Sequence, residues 1–361
     1  MSRRRVYLHV GTPKSGTSYL QDKLALNCDL LLRHGLDYAR TRTGDHFEAA
    51  LDLIGERWAG EEKKAAGQWQ TMVDELGSGP EHVLVSHEIL AAAGPESVAR
   101  ARATFRNAEI HVIVTARDLG RQVPAEWQER VKHRGGRPYA AFLDGLHRSY
   151  ARKDRQTWFW KVQHLPRILE TWGAGLPPGR VHLVTVPQAD GPRDALWNRF
   201  AQVLRLDRRT TYAESETVNA SLGGSEVTLL RRLNLELAER EVSRETYVGW
   251  VRETVVKEVL AGRAGAQPVT VPPPLRAWVE EIGASWVERI RDSGVDVVGD
   301  LADLDPVWPD DDEAWVDPDR PDPEVVGEAA IQALARVLGE VDKPPPPEPR
   351  PVSRITRRFR S

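Results

Sequence analysis

Cysteine is almost absent from this chain, because Cys28 is the only one in 361 residues. A single thiol cannot form an internal disulfide, and it cannot build a metal site from several thiolates. The sequence therefore excludes a fold stabilised by internal disulfides. We expect no bound metal.

Long hydrophobic runs are also missing, and no stretch approaches the roughly 20 apolar residues that a membrane helix needs. The chain starts with basic residues, but the apolar run that follows, 6–10, is too short for a signal peptide. We therefore expect a cytoplasmic protein with no membrane span. The formal net charge of −3 predicts no nucleic-acid partner. The oligomeric state stays open.

The residues that are present are those of an ordinary globular protein. Apolar residues make up 40% and charged residues 29% of the chain, which excludes a collagen-like or wholly disordered protein. The length fits roughly two domains of ~150 residues, or one large α/β domain with insertions.

Four short apolar runs alternate with helical segments along the first half of the chain. We predict that these runs are buried strands at 6–10, 82–86, 110–115 and 180–186. Strands that alternate with helices need crossover connections, so the sheet should be largely parallel and covered on both faces. The predicted fold class is α/β, a parallel β-sheet flanked by helices, with a helical C-terminal region.

The composition changes beyond residue 215, where the strand signal ends and helices over 225–240 and 275–292 are predicted. From Asp300 to Glu328 there are 12 acidic residues, one arginine and five prolines, which disfavours regular structure. A short amphipathic helix over 325–338 should follow. We divide the chain into an α/β domain with the candidate site (1–240), a helical extension packed on it (241–298), an acidic, proline-rich segment with the short helix (299–342), and a disordered basic tail rich in proline and arginine (343–361).

A glycine-rich loop, Gly-Thr-Pro-Lys-Ser-Gly-Thr-Ser at 11–18, joins the first predicted strand to a helix. In this context successive backbone N–H groups and the helix N-terminus form a cradle for phosphate or sulfate. Gly11 and Gly16 have the spacing of the nucleotide-binding P-loop, but Thr17 stands where that loop carries its lysine. The lysine lies inside the loop instead, as Lys14. The alternative is a turn without a binding function.

Residues 13–21, Pro-Lys-Ser-Gly-Thr-Ser-Tyr-Leu-Gln, resemble the 5′-phosphosulfate loop, P-K-[ST]-G-T-[ST]-x-L, of sulfotransferases that use 3′-phosphoadenosine 5′-phosphosulfate (PAPS). The resemblance extends over about 5–240, and segments such as 118–134 are closer to bacterial members than to cytosolic drug-metabolising ones. It implies a fold related to the P-loop nucleoside triphosphatases. It also implies transfer of a sulfuryl group from PAPS to a hydroxyl or amine, with release of PAP and no metal.

The same resemblance assigns roles within the loop. Lys14 would contact the oxygen that bridges phosphate and sulfate, and Thr17 and Ser18 would donate hydroxyls to the 5′-phosphate. The loop residues implied to bind the donor are Pro13, Lys14, Ser15, Gly16, Thr17 and Ser18.

The second signature of these sulfotransferases is an arginine after a later strand, followed eight residues on by a serine, both of which bind the 3′-phosphate. Arg117 matches the arginine, but position 125 is Ala125. Arg121 or Gln122 in the following helix could take the place of the serine. An exposed ion pair of Arg117 with Asp118 is the structural alternative.

Sulfuryl transfer needs a base for the proton of the acceptor. His87 and Glu88 follow the second predicted strand, at the edge of a parallel sheet where ligands bind. We favour Glu88, because Ser86 and Glu88 share one face of an extended backbone and His87 lies on the other. A structural histidine, or a glutamate that favours a helix N-terminus, is the alternative.

The acceptor is predicted only as a class: a carbohydrate, a lipid or a small molecule. An aromatic-rich segment, Thr157–His164, could be one wall of its pocket, although helix packing against the sheet is the favoured interpretation. The alternative function is a nucleotide-binding P-loop protein or an atypical ATP-dependent kinase. Arg117 separates these functions, because only a 3′-phosphate requires it.

Overall fold

The computed structural model describes residues 4–38, 46–58, 60–76, 81–188, 191–192, 194–207, 209–215, 221–309 and 315–341. The predicted basic tail at 343–361 lies outside these residues.

Within these ranges six strands form one sheet, and every pairing between neighbours is parallel. The order across the sheet is β2-β3-β1-β4-β5-β6. The strands are β1 (Arg5–His9), β2 (Leu36–Tyr38), β3 (His82–Ser86), β4 (Glu109–Ala116), β5 (Val181–Thr185) and β6 (Asp296–Val298). The predicted fold class, a parallel α/β sheet flanked by helices, is confirmed.

Helices connect the strands and cover both faces of the sheet. The α-helices are α1 (Thr17–Leu26), α2 (Cys28–Arg33), α3 (Phe47–Ile54), α4 (Glu62–Ala65), α5 (Gln68–Glu75), α6 (Pro95–Thr104), α7 (Leu119–Lys132), α8 (Tyr139–Ala151), α9 (Trp158–Gln163), α10 (Leu165–Gly173), α11 (Ala195–Val203), α12 (Gly224–Glu239), α13 (Arg244–Thr246), α14 (Pro273–Ser293) and α15 (Pro323–Val341). Short 3₁₀ turns cover Glu88–Ala92, Pro178–Arg180 and Leu301–Leu304, and a π-helical stretch covers Tyr247–Leu260. None of the helices in the described ranges is long and apolar enough to cross a membrane.

Alternation along the strands divides the core into two layers. Val6 and Leu8 of β1 pack into the larger layer, and Tyr7 packs into the smaller one with Trp197 and Phe200 of α11. Successive side chains of a strand point to opposite faces, so a central strand needs apolar residues on both. This burial fixes β1 in the middle of the sheet, and the loop that follows it lies between the ends of β3 and β4.

Two strands depart from the sequence prediction. The prediction omitted β2, and it placed no strand beyond residue 215, where β6 pairs with β5. Each has only three residues, too few for a visible alternation, and Asp37 and Asp296 interrupt the apolar signal. β6 comes from the segment predicted to be a helical extension, so the sheet crosses the proposed boundary at 240, and the domain division stays a prediction.

Candidate active site

The loop at 11–18 leaves the central strand at the carboxyl edge of the sheet. Its backbone continues the pairing with β4, because Thr12 N donates to Thr115 O at 2.8 Å and Thr115 N donates to Gly11 O at 2.6 Å. Gly11 and Gly16 have φ values of +109° and +81°, and Lys14 has φ of +63°, which is uncommon for a residue with a side chain. Backbone strain of this kind concentrates at functional sites.

Both loop glycines are also required by close contacts. A Cβ on Gly11 would lie 2.8 Å from the carbonyl oxygen of Glu88, and one on Gly16 would lie 2.3 Å from Leu196 of α11. The Gly11 backbone therefore packs directly on the backbone of Glu88. This contact places the candidate base beside the candidate anion loop.

Side chains from the neighbouring elements hold the loop in shape. The Ser15 hydroxyl donates to Thr12 O at 2.5 Å and pairs with Thr115 Oγ1 at 2.5 Å. Gln122 of α7 and Gln163 of α9 both donate to Pro13 O, at 2.6 and 2.9 Å. The Ser15 hydroxyl is thus used inside the protein, and Gln122 is a loop support rather than a free replacement for the missing serine.

The helix that starts at the loop has no side-chain cap. Gly16, which has no side chain, occupies the N-cap position of α1, and in the described part of the chain no side-chain cap is present there. The start of α7 differs, because the Asp118 carboxylate accepts from Arg121 N at 2.9 Å. Uncapped N–H groups and the helix dipole favour an anion. Thr17 is buried at this position and Ser18 is exposed.

Lys14 points its ammonium toward α7. Its Nζ lies 2.5 Å from Glu129 Oε2, and His133 Nε2 lies 3.0 Å from Glu129 Oε1. Burial opposes ionisation of Glu129, but the His133 hydrogen bond and the Lys14 charge outweigh it and lower the pKa of this carboxyl. The loop lysine is therefore paired with a carboxylate.

Arg117 lies directly beyond β4 and is in the opposite situation. Its side chain is half-buried, and it has no hydrogen-bond or ion-pair partner among the described residues. Burial, together with the like charge of Arg121, lowers the pKa of Arg117 to about 10, which leaves the guanidinium charged at neutral pH. The charge of Asp118 acts in the opposite direction. A partly buried cation with no hydrogen-bond or ion-pair partner among the described residues is suited to hold an anion.

Arg121 and Asp118 are tied to each other. Arg121 Nε donates to Asp118 Oδ2, and Arg121 Nη1 donates to Pro187 O at 3.1 Å. The third nitrogen, Arg121 Nη2, is buried and has no hydrogen-bond partner among the described residues. Its N–H groups are therefore not used by that part of the protein. Asp118 is fully buried in this pair and caps α7, which makes it a poor ligand for a magnesium ion.

Glu88 and His87 have different hydrogen-bond partners, although His87 Nδ1 lies only 3.9 Å from Glu88 Oε2. The backbone stays extended through His87, and Gln21 Nε2 of α1 donates to Glu88 Oε2 at 3.1 Å and to Ser86 Oγ at 3.4 Å. Ser86 and Glu88 therefore face the same glutamine. The His87 ring instead accepts from Ile89 N and packs on Phe47, with ring centroids 5.5 Å apart.

The Glu88 carboxylate is ionised by its surroundings. Burial would raise its pKa, but the His87 ring, a backbone N–H, the Gln21 amide and the Lys14 charge together lower it. Its side chain is 26% exposed. Glu88 is thus a partly exposed carboxylate, and the positive charge of Lys14 is close enough to stabilise its ionised form.

A buried histidine, His9, connects the carboxyl ends of the strands that lead into the loop at 11–18 and into Glu88. His9, the last residue of β1, pairs with Ser86 Oγ at 2.7 Å and Thr115 Oγ1 at 3.2 Å. Complete burial lowers its pKa to about 3, so the ring is neutral at physiological pH. A neutral ring joins β3, β1 and β4 at the point where their loops begin.

Three partly buried aromatic rings, those of Phe47, Trp58 and Trp158, form a row of contacts that begins at His87. Phe47 contacts Trp58 at 5.8 Å, and Trp58 contacts Trp158 at 5.1 Å between ring centroids. In the same segment Phe159 and Trp160 are buried in the core, which confirms the packing interpretation for them. Trp158 is the partly exposed aromatic residue of 157–164.

Sequence reasoning missed Gln21, Glu129, Gln163 and His9. Gln21 and Glu129 lie within stretches that resembled sulfotransferases, but their contacts with Glu88 and Lys14 cross between separate elements. Within the described residues, no three His, Cys, Asp or Glu side chains come together as a metal site.

No protein-family model matches the chain, and no curated protein does. Among solved structures, the chain is similar to a sulfotransferase from Alicyclobacillus acidocaldarius, with 14% identity and a TM-score of 0.42 over 81% of this chain and 96% of that one. A match this distant says nothing about the reaction, so the proposal that follows depends on the geometry of the site.

Proposed function

We propose that the protein is a PAPS-dependent sulfotransferase that transfers a sulfuryl group to a hydroxyl or amine of a carbohydrate, lipid or small-molecule acceptor. The observation that carries the proposal is the half-buried guanidinium of Arg117, which has no partner among the described residues. It lies after β4, next to the strand whose loop leads into the uncapped α1. Two anion sites on neighbouring strands suit a nucleotide with phosphates at two positions.

The residues present fit PAPS as donor. Loop N–H groups and the start of α1 would hold the 5′-phosphosulfate, and Thr17 and Ser18 lie there. Arg117, with the spare nitrogen of Arg121, would hold the 3′-phosphate. PAPS supplies the sulfuryl group and leaves as PAP.

The roles of the reacting residues follow from their charges. The Glu88 carboxylate accepts the proton of the acceptor, which makes its oxygen or nitrogen a better nucleophile. Lys14 places positive charge near the loop, where negative charge grows on the leaving oxygen. Phe47, Trp58 and Trp158 provide an apolar wall for the acceptor beyond His87.

An ATP-dependent kinase fits less well. Asp118, the carboxylate after β4, is buried in its pair with Arg121, and Thr17 replaces the lysine of the nucleotide P-loop. Arg117 also has no role with ATP, which lacks a 3′-phosphate.

Calorimetric titration with PAP and with ADP tests the proposal. PAP should bind at least tenfold more tightly, because a phosphate held by an arginine adds a charge-assisted hydrogen bond of ~1.5–3 kcal/mol. Equal affinity for the two nucleotides would reject the sulfotransferase assignment.

A further inference from the structure

Two cations of the candidate site, Lys14 and Arg117, differ in their partners within the protein. The Lys14 ammonium has a carboxylate partner, Glu129, at 2.5 Å. Arg117 has none among the described residues. An anion that enters the site can bind Arg117 without displacing another group. It can bind Lys14 only by displacing the Glu129 carboxylate.

Glu129 is built to stay charged and in place. His133 Nε2 lies 3.0 Å from its other carboxylate oxygen, so both oxygens have partners. Glu129 lies in the last turn of α7, about 15 Å along the helix axis from Leu119 at 1.5 Å per residue. The carboxylate therefore draws the ammonium toward the far end of the helix from Arg117.

The ion pair is also exposed enough to exchange partners. The Lys14 and Glu129 side chains are 31% and 30% exposed, and pairs of this kind are weak in water. A phosphosulfate or phosphate with two negative charges can displace a single carboxylate. The carboxylate then recaptures the lysine when the nucleotide leaves.

We propose that Glu129 is a positioning residue that competes with the bound nucleotide for the Lys14 ammonium and so sets the rate at which the product PAP leaves. This inference rests on the proposed function. Glu129 acts through Lys14 and does not touch the reacting atoms. Product release limits turnover in many enzymes. Glu129 lowers the barrier to that step, because its carboxylate re-forms the ion pair with Lys14 as the nucleotide leaves.

Glu129→Gln is the main test, because glutamine keeps the shape and helix propensity but removes the charge. PAP release, followed by stopped flow, should slow about five- to tenfold, and the Kd for PAP should fall by the same factor. Single-turnover sulfuryl transfer should not be slowed. Glu129→Asp should lie between the wild type and Glu129→Gln.

Glu253→Gln is the matched control, since Glu253 forms an exposed helical ion pair with Lys257. It should leave PAP release unchanged. Unchanged or weaker PAP binding by Glu129→Gln, or slower single-turnover transfer, would overturn the inference. If Glu129→Gln does not fold, Glu129→Asp alone must tighten PAP binding.

Failure of the inference is distinguishable from failure of the proposed function. If the wild type prefers PAP to ADP but Glu129→Gln releases PAP at the wild-type rate, only the inference falls. If the wild type binds both nucleotides equally, the proposed function falls. Release of ADP from wild type and Glu129→Gln then tests the competition for Lys14 directly.

Discussion

The amino ends and the carboxyl ends of the strands form two edges of the sheet, and both edges carry many charged side chains. The two edges differ in how these side chains are paired. At the amino edge Glu109 accepts contacts from Arg5 at 3.3 Å, Arg180 at 3.6 Å and His111 at 2.8 Å. His111 also pairs with His182 at 2.9 Å, and His182 with Asp296 at 2.6 Å. Both arginines there have a carboxylate partner.

At the carboxyl edge Lys14 and Arg121 have carboxylate partners, whereas Arg117 has none among the described residues. This edge also has a helix start without a side-chain cap. Charge that is neutralised within the protein contributes to the fold, whereas a partly buried cation without an ion-pair partner is available to an anion from outside. We therefore expect structural roles for the charged residues of the amino edge, and we propose ligand binding at the carboxyl edge.

Glu88→Gln should have the largest effect. It keeps the shape and the contact with Gln21 but cannot accept a proton, so transfer should fall by ~10²–10⁴. PAP affinity should change little. The measurement is single-turnover transfer beside calorimetric PAP binding. An active Glu88→Gln with an inactive His87→Ala would assign the base to His87, and activity in both would place the base elsewhere.

Lys14→Ala should come next, with a loss of transfer of ~10²–10³. The loss should exceed any loss of PAP affinity, because its charge matters most when the leaving oxygen becomes an anion. Lys14→Arg should not rescue transfer, since a planar guanidinium does not replace an ammonium in a tight loop. Near-normal turnover of Lys14→Ala would contradict the assigned role of the loop.

The pH profile of transfer should follow the ionisation of Glu88. The pKa of this carboxyl is lowered in the fold, so Glu88 stays ionised below the pH at which an ordinary glutamate takes up a proton. Activity should be lost only as pH falls through that lowered pKa. Measured kcat/KM, corrected for the folded fraction, should be flat from pH 7 down to about 5. An acid limb near pH 6–7 would indicate a histidine as the base.

Arg117→Ala should remove most of the preference for PAP over ADP, a change of about tenfold or more, with little effect on AMP binding. Titration of the variant with the three nucleotides measures this. Retention of the full preference would mean that another cation binds the 3′-phosphate, and Arg121→Ala would then be the variant to examine.

Glu109→Gln at the amino edge should have the smallest effect on function. It weakens contacts with Arg5, Arg180 and His111, so the free energy of unfolding should fall by about 1 kcal/mol. PAP affinity should stay within about twofold of the wild type. A large loss of PAP binding without unfolding would contradict the division between the two edges.

Much of the fold is visible in the sequence because its central strands are long apolar runs. β3 has the predicted bounds, and β1, β4 and β5 differ by only one residue at one or both ends. α12, α14 and α15 lie at predicted places, although α15 is longer than expected. β2 and β6 are three-residue edge strands that exist through pairing with a neighbour, which a local pattern does not reveal.

The position of the candidate site could be predicted from the sequence, but many of the contacts within it could not. The loop and Arg117 could be located because each follows a recognisable strand. The use of the Ser15 hydroxyl inside the protein, and the pairing of Lys14 with Glu129, depend on how α7 packs beside the loop. Such contacts come from tertiary geometry rather than from spacing along the chain.

β6 also has a consequence for the biosynthesis of the protein. Its residues, 296–298, pair with β5 and form the outer edge of the sheet. Until this segment leaves the ribosome, the nascent chain presents the outer side of β5 as an open edge, which favours association with other chains. A chain ended at residue 240 would keep the outer side of β5 open, so we expect it to associate with other chains more than the full chain, in which the short β6 covers part of β5.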